Sequence, residues 1–489
     1  MFRKLLNLLS DAAVYGVSSM LNRVVQFLLL PVLTFYLSTE EMGVVIMLSI
    51  VTSLFAPLAN LGMTNAIFRR FNYDKDPGAR SQLFATGLLS VTLSSLLVML
   101  VCFAFATPLA TLLTRSPDNA GMVRISLLTA AFTSIGMVPF VTMRAARRVK
   151  SAATINVAKL LVSTAVTLVL VIGLQAGVWG VLLGSLAGEA SLTLVQLALT
   201  LRSFQALPSW ETWRRMSAYG LPFVPHHMQA VGMDLFGMYM VGEMLGLSAV
   251  GIYGVATKLA SPVTFVVGAV QASWVPYKFQ IHAEDPDPHA FFSSSFLYYI
   301  AGLSYLWVGV SLWGPEVIRL MTTAQFHSAT HLVWAVALIP VAQGIYFMCG
   351  TGIELSENTR AYPLVSFAGL VVVVASAFAL VPVWGPLGAA LSTVAGWLTM
   401  AVVVYVISQQ RMRIHYDWAS TGLFVALAAA CVFAGVELQS QPVAVRIIAI
   451  TLLSLLYPVV GFLLLYRSRT ERGRMIHLLT KLRLAPSNH

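Results

Sequence analysis

The sequence predicts an all-α integral membrane protein of about fourteen transmembrane helices, arranged as two six-helix repeats followed by two extra C-terminal helices. Three observations predict it. Of 489 residues, 58% are hydrophobic and 10% charged, with a mean hydropathy of +0.81, far too apolar for a water-soluble fold of this length to cover with polar surface. Apolar runs of about 20 residues return along the whole chain, the length a helix needs to cross a hydrocarbon core of ~30 Å. Short motifs recur at nearly one offset. Helices rather than strands are expected because an open sheet edge cannot be satisfied in lipid.

The expected spans cover, to within a few residues, 10–36, 42–64, 81–106, 120–142, 152–173, 177–201, 217–242, 249–274, 290–313, 328–353, 361–382, 386–408, 417–436 and 443–466. The first follows Arg3 and Lys4 and carries Asp11, Asn22 and Arg23, with no small-residue cleavage site behind it, so it reads as a retained span rather than a cleaved signal. Basic residues then mark alternate connections in order. Arg69, Arg70, Lys75 and Arg80 lie between spans two and three, Arg144 to Lys150 between four and five, and Arg202 to Arg215 between six and seven. Lys278, Arg360 and the pair Arg411 and Arg413 follow, and the last cluster begins at Arg467. Lys and Arg are enriched on the cytoplasmic side of short loops, so both termini are expected to be cytoplasmic.

With that orientation 23 of the 30 basic residues fall inside, and only Arg115, Arg319 and Arg446 border outer loops. The net charge of +11 is thereby an orientation and anionic-lipid signal rather than a nucleic-acid surface, and no nucleic acid is expected as a partner. Cys102, Cys349 and Cys431 each sit inside an apolar run without metal-ligand spacing, so neither a disulfide nor a metal is expected.

The duplication rests on three recurrences. Val178-Trp179-Gly180 returns as Val383-Trp384-Gly385, Leu37-Ser38 as Leu247-Ser248, and Tyr15-Gly16 as Tyr219-Gly220. Each occupies the matching place in its half, as a repeated six-span unit requires. The organisation expected is a bundle over 1–205, a second over 206–412, two additional spans over 413–466 and a basic cytoplasmic tail over 467–489. An even number of spans per unit gives parallel repeats, with a substrate site at their interface.

Polar residues on one helical face mark a wet path through lipid. In span one Asp11, Tyr15, Ser19, Asn22 and Gln26 recur three or four residues apart beside Arg23. Span two carries Asn60 and Thr64, with Asn65 next to them; span eight carries Thr257, Thr264 and Gln271, with Lys258 adjacent; span seven carries His226, His227 and Asp234. The candidate cavity is therefore Asn22, Arg23, Gln26, Asn60, Asn65, His226, His227, Asp234, Lys258 and Gln271. Aligning Tyr15 with Tyr219 sets Asn22-Arg23 opposite His226-His227, the expected centre. Arg23 lies well inside a span, where insertion costs about 2.5–3.5 kcal/mol and a cavity-facing role is the usual resolution. His226 and His227 equally suit interhelical hydrogen bonding, and Asp234 equally suits an ion pair with Arg23 or Lys258.

The segments Leu37 to Gly43 (LSTEEMG), Asn60 to Met63 followed by Arg69-Arg70-Phe71, and Tyr219 to Val224 (YGLPFV) leading to Val250 to Tyr253 (VGIY) resemble the Wzx-type polysaccharide flippases of the multidrug/oligosaccharidyl-lipid/polysaccharide exporter superfamily. The resemblance implies a MATE-like fold and a non-enzymatic activity. It implies flipping of a polyprenyl-pyrophosphate-linked glycan from the inner to the outer leaflet of the cell inner membrane, by alternating access, for cell-surface polysaccharide synthesis. It implies membrane lipids and other polysaccharide-assembly proteins as partners, no cofactor, and coupling to a proton or sodium gradient as an option. Members often place an arginine directly after the span-seven aspartate; here Leu235 follows Asp234, so no role depending on that pair carries over.

Two other classes stay open. A multidrug or cation exporter of the same superfamily would want an apolar or acidic cavity, and a membrane glycosyltransferase or polymerase would want a larger extramembrane domain. The basic-residue division yields a topology test: reporter fusions after Arg115 and Arg319 should show outer-face activity and fusions after Arg148 and Arg411 inner-face activity, and reversal at either pair would end the assignment.

Overall fold

The computed structural model describes residues 21, 24–74, 76–146, 148–202, 206–284, 288–356 and 361–467, and every regular element among them is helical. The first is α1, Val24–Tyr36. Then come α2 (Thr39–Asn60), α3 (Met63–Tyr73), α4 (Pro77–Ala104), α5 (Ala106–Thr114) and α6 (Ala120–Ala145). α7 (Val149–Leu168) runs on into a π-helical turn over Val169–Gly173, and α8 (Gly177–Leu201) returns beside it. The chain continues through α9 (Trp210–Gly220), α10 (Phe223–Leu245), α11 (Leu247–Glu284) and α12 (Pro288–Met321). After a 3₁₀ segment over Ala324–Leu332 follow α13 (Val333–Cys349), α14 (Thr351–Leu355), α15 (Tyr362–Trp384), α16 (Pro386–Arg411), α17 (Trp418–Glu437) and α18 (Val443–Arg467).

Among the described residues, twelve helical stretches are long and apolar enough to cross a membrane, and the chain is a multi-pass membrane protein. The other two expected spans coincide with α1, of which only the part from Val24 is described, and with α10, which carries His226, His227, Asp234 and Glu243. Exposed side chains of α15 and α18, such as Leu364, Phe367, Leu452 and Leu455, are large and apolar. That is the surface a lipid solvent permits and water does not.

Two expected spans are broken rather than continuous. α2 ends where Leu61 and Gly62 both take left-handed backbone, at φ 51° and 71°, so α3 leaves at a new angle. α9 ends before Pro222, which together with Pro225 lacks the amide hydrogen a continuing helix needs. α11, at 38 residues, is about 57 Å long at 1.5 Å per residue, longer than the 249–274 span expected.

The described residues divide into two compact units. One takes those within Met1–Lys258, Arg319–Leu332 and Arg360–Met400; the other takes those within Leu259–Ile318, Val333–Thr359 and Ala401–His489. In the first, close backbone approach sets the packing. Gly180, Gly184 and Gly188 form one stripe of α8, and a Cβ on any of them would strike α7 or its π turn, at Val171, Thr167 and Ser163 respectively. Such small-residue stripes let helices in lipid approach closely, where no hydrophobic force distinguishes a neighbouring helix from a lipid tail. Beside the stripe Lys159 Nζ and Glu189 Oε1 pair at 2.6 Å. Met63, Ile67, Phe84, Val91, Val138 and Met216 knit α3, α4, α6 and α9 into one core.

α2 and α11 cross with reciprocal glycines. A Cβ on Gly43 would land on the carbonyl oxygen of Leu247, and one on Gly251 on that of Thr39. Thr39 to Leu247 and Gly43 to Gly251 are the same step of 208 residues (247 − 39 and 251 − 43), so the two contacts are copies of each other across an approximate two-fold, as two duplicated helices would make. The Ser38–Glu41 capping box fixes where α2 begins. Thr323 Oγ1 donates to Thr34 O at 2.8 Å and Gln325 Nε2 to Leu37 O at 3.2 Å, tying the 3₁₀ segment to the α1–α2 turn.

In the second unit the extra pair α17–α18 is pinned to α12. Arg446 is buried and meets both carboxylate oxygens of Glu316, Nε at 2.5 Å and Nη2 at 2.9 Å. Tyr457 donates to Ala301 O at 2.9 Å, and Gly435 lies directly against Leu312. Arg446, expected to mark an outer loop, is thus an anchor, and loss of one partner from such a buried pair costs about 3–5 kcal/mol. Lys278, fully buried, pairs in the same way with Glu354 of α14.

Gly43→Ala and Gly251→Ala should each destabilise the protein by about 1–3 kcal/mol through overpacking. The double variant should cost less than their sum, since the first substitution already parts the helices. Denaturation of the purified chain in detergent measures this; neutral single substitutions would remove the crossing from its structural role.

Candidate functional site

The two helix breaks lie against each other. A Cβ on Gly62 would strike the backbone of Gly220, and one on Gly220 the backbone of Gly62, so the α2–α3 and α9–α10 junctions touch main chain to main chain. Side chains flanking them form a strip. Asn60 Oδ1 accepts from both the backbone amide of Thr64, at 3.2 Å, and its hydroxyl, at 2.9 Å, restoring partners to the first turn of α3. One residue further, Asn65 Nδ2 faces His227 Nε2 at 3.5 Å, a contact in which Asn65 donates when the imidazole proton sits on Nδ1.

Rings continue the strip from His227. Phe223 lies four residues before it with ring centroids 6.5 Å apart, and Tyr219 four residues before that at 5.4 Å from Phe223. The guanidinium carbon of Arg69, four residues after Asn65, sits 4.5 Å from the Tyr219 ring centroid, within the range of a cation–π contact. Two side chains of α3 therefore run beside three of α9–α10. Arg69 and His227 are exposed, and Asn65, Tyr219 and Phe223 half-buried, so the strip offers cationic, amide and aromatic surface together.

The other sequence candidates are distributed elsewhere. Asn22 and Arg23 lie outside the described residues, as does the side chain of His226. Asp234 does not pair with Lys258: its Oδ1 accepts from Trp397 Nε1 at 3.4 Å, and Lys258 has no ion-pair partner among the described residues. α16 packs directly on α10, where Gly237 meets Ala389 and Thr393, and so brings Trp397 to Asp234. Gln26 is exposed on α1, and Gln271 falls in the other unit. Sequence reasoning missed Arg69, Tyr219 and Phe223. The spacing of four between 65 and 69, and again through 219, 223 and 227, was the available signal.

A cavity of about 400 Å³ lies in the same unit, walled by apolar side chains including Ile50, Leu54 and Leu58 of α2, Leu109 of α5, and Leu235 and Phe236 of α10. On both α2 and α10 its residues project from a different face than Asn60 and His227, at 100° per residue.

Residues 8–282 match the family model described as polysaccharide biosynthesis protein. The chain belongs to this family. No curated protein matches it in sequence. Solved structures share its fold at low identity. A structure titled as the lipid II flippase MurJ in an inward closed conformation aligns with a TM-score of 0.69 at 12% identity, covering 93% of this chain and 99% of that one. An inward-facing multidrug resistance MATE family transporter aligns with a TM-score of 0.67 at 16% identity, covering 80% and 94%. A MOP superfamily transporter from Pyrococcus furiosus, described as having a binding pocket of reverse polarity, aligns with a TM-score of 0.56 at 16% identity, covering 82% and 95%. The family member described here thus has the MATE-like helical fold expected from sequence.

Asn60→Ala should cost about 1 kcal/mol by removing the acceptor at the start of α3, and Asn60→Asp should recover most of it. Thermal midpoints of the purified variants measure this; equal midpoints for alanine and wild type would show that the acceptor is dispensable.

Proposed function

We propose that the chain is a lipid-linked oligosaccharide flippase of the cell inner membrane, with both termini cytoplasmic. It carries a polyprenyl-pyrophosphate-linked glycan from the inner to the outer leaflet for cell-surface polysaccharide synthesis. The observation that carries the reading is the strip of Arg69, Asn65 and His227 with Tyr219 and Phe223, set where the polar helices α3 and α9 meet the apolar helices α2 and α10. A pyrophosphate and a polar sugar chain cannot enter hydrocarbon unaided, since a single charge at the bilayer centre costs several kcal/mol. An arginine fork matches phosphate oxygens bidentately, and amides exchange hydrogen bonds with hydroxyls.

Family membership and the fold shared with a lipid II flippase support this cargo class. Flipping breaks no covalent bond, so the protein needs no nucleophile or general base, and alternating access between the repeats supplies the path. Membrane lipids and other polysaccharide-assembly proteins are its expected company. A proton or sodium gradient is the expected energy source.

A multidrug exporter is the second reading, favoured by the apolar cavity beside α2 and α10 and by the MATE fold. Proteoliposomes separate the two. The purified chain should move a fluorescent polyprenyl-pyrophosphate oligosaccharide into reach of a membrane-impermeant quencher faster than protein-free vesicles do, and an imposed ion gradient should accelerate it. Efflux of a lipophilic cation with no movement of the glycan lipid would transfer the chain to the exporter reading.

A further inference from the structure

Arg69 is an exposed guanidinium whose one described contact is the face of Tyr219, and it has no carboxylate or hydrogen-bond partner among the described residues. Ring stacking holds a guanidinium plane while leaving its N–H edge outward, the edge that takes two phosphate oxygens. A charge held in this way and left unneutralised is a place for an anion.

Asn65 stands four residues before Arg69 on the same face of α3, about 6 Å along the axis at 1.5 Å per residue. That rise matches the reach from a pyranose ring to the phosphate on its anomeric carbon. Opposite Asn65 stands His227, at 3.5 Å, and the half-buried Phe223 ring lies beside that imidazole, 6.5 Å between centroids. A pyranose has one apolar face of C–H groups and a rim of hydroxyls. The first suits an aromatic ring, and the second suits an amide and an imidazole, each able to donate and accept.

We propose that Arg69, Asn65, Phe223 and His227 form a binding site for a glycosyl phosphate, with phosphate on Arg69, the sugar's apolar face on Phe223 and its hydroxyls on Asn65 and His227. Tyr219 is a positioning residue that orients the guanidinium. The site rests on the flippase reading for its source, the sugar nearest the pyrophosphate of a lipid-linked glycan. A soluble sugar nucleotide presents the same chemistry and is the competing source.

The test uses the full chain in phospholipid nanodiscs and three probes: farnesyl-pyrophosphate-linked N-acetylglucosamine, farnesyl pyrophosphate, and UDP-N-acetylglucosamine. Wild type should bind the first probe tightest. Arg69→Ala should weaken both farnesyl probes by about tenfold or more, the loss expected for a charged hydrogen bond, and Arg69→Lys should recover part of it. Phe223→Leu should remove only the advantage of the sugar-bearing probe. Tyr219→Phe, which keeps the ring under the guanidinium, should bind like wild type, whereas Tyr219→Leu, which fills the space without a ring, should weaken both farnesyl probes; equal binding by the two would remove the positioning role of Tyr219. Unaltered binding of the first probe by folded Arg69→Ala and Phe223→Leu would overturn the site. Tighter binding of UDP-N-acetylglucosamine than of the first probe would overturn its assignment to a lipid-linked sugar. Should a substitution prevent folding, Arg69→Gln, which removes the charge, and Phe223→Met, which removes the ring, carry the same comparison. Failure of wild type to flip the glycan lipid in vesicles is a separate result, which would remove the flippase reading while leaving these affinities to be judged alone.

Discussion

Everything in the first unit depends on how closely its helices approach, and glycine sets that distance. In lipid an apolar side chain gains nothing by leaving a tail for a neighbouring helix, so association relies on van der Waals contact and interhelical hydrogen bonds. The Gly180, Gly184 and Gly188 stripe seats α8 on α7, the reciprocal Gly43 and Gly251 contacts cross α2 with α11, and Gly62 meets Gly220 where two helices break. Were the last pair to carry side chains, α3 and α9 would move apart, and Asn65 and Arg69 would no longer face His227 and Tyr219.

The strip is therefore a product of two breaks. Leu61 and Gly62 in left-handed backbone turn α3 away from the axis of α2, and Pro222 with Pro225 does the same between α9 and α10. Broken helices leave backbone groups to be satisfied, and Asn60 takes up that role at the start of α3. Polar side chains tolerated for local reasons at such breaks also become the wet surface a transporter needs. In the function proposed, the same residues serve both folding and cargo.

The helical class, most spans and the duplication were legible because they rest on run length and spacing, which survive without tertiary knowledge. The site was legible only in part. Asn60, Asn65 and His227 were found as polar residues within or beside spans, yet Arg69 read as a topogenic charge, Tyr219 as a repeat marker and Phe223 as an ordinary apolar residue. Arg69 and Tyr219 gain their meaning from each other, 150 residues apart (219 − 69), across a contact that hydropathy cannot register, and Phe223 from the rings four residues to either side of it. Pro222 and Pro225 mark a disturbance in span seven from sequence, but the left-handed turn at Leu61 and Gly62 that breaks span two leaves no trace in hydropathy. The pairing of Asp234 with Lys258 failed for a related reason: charge alone suggested it, whereas helix packing delivered Trp397. The glycine stripe at a spacing of four stands in the sequence, but only the position of α7 gives it meaning.

In the function proposed, the junction of α2–α3 with α9–α10 receives the head of a lipid-linked glycan. Cryo-electron microscopy of the chain in nanodiscs loaded with a polyprenyl-pyrophosphate oligosaccharide tests it most directly. Ordered density for the first sugar and its phosphates is expected between α3 and the α9–α10 bend. A head group ordered elsewhere in the protein, with that junction empty, would contradict it.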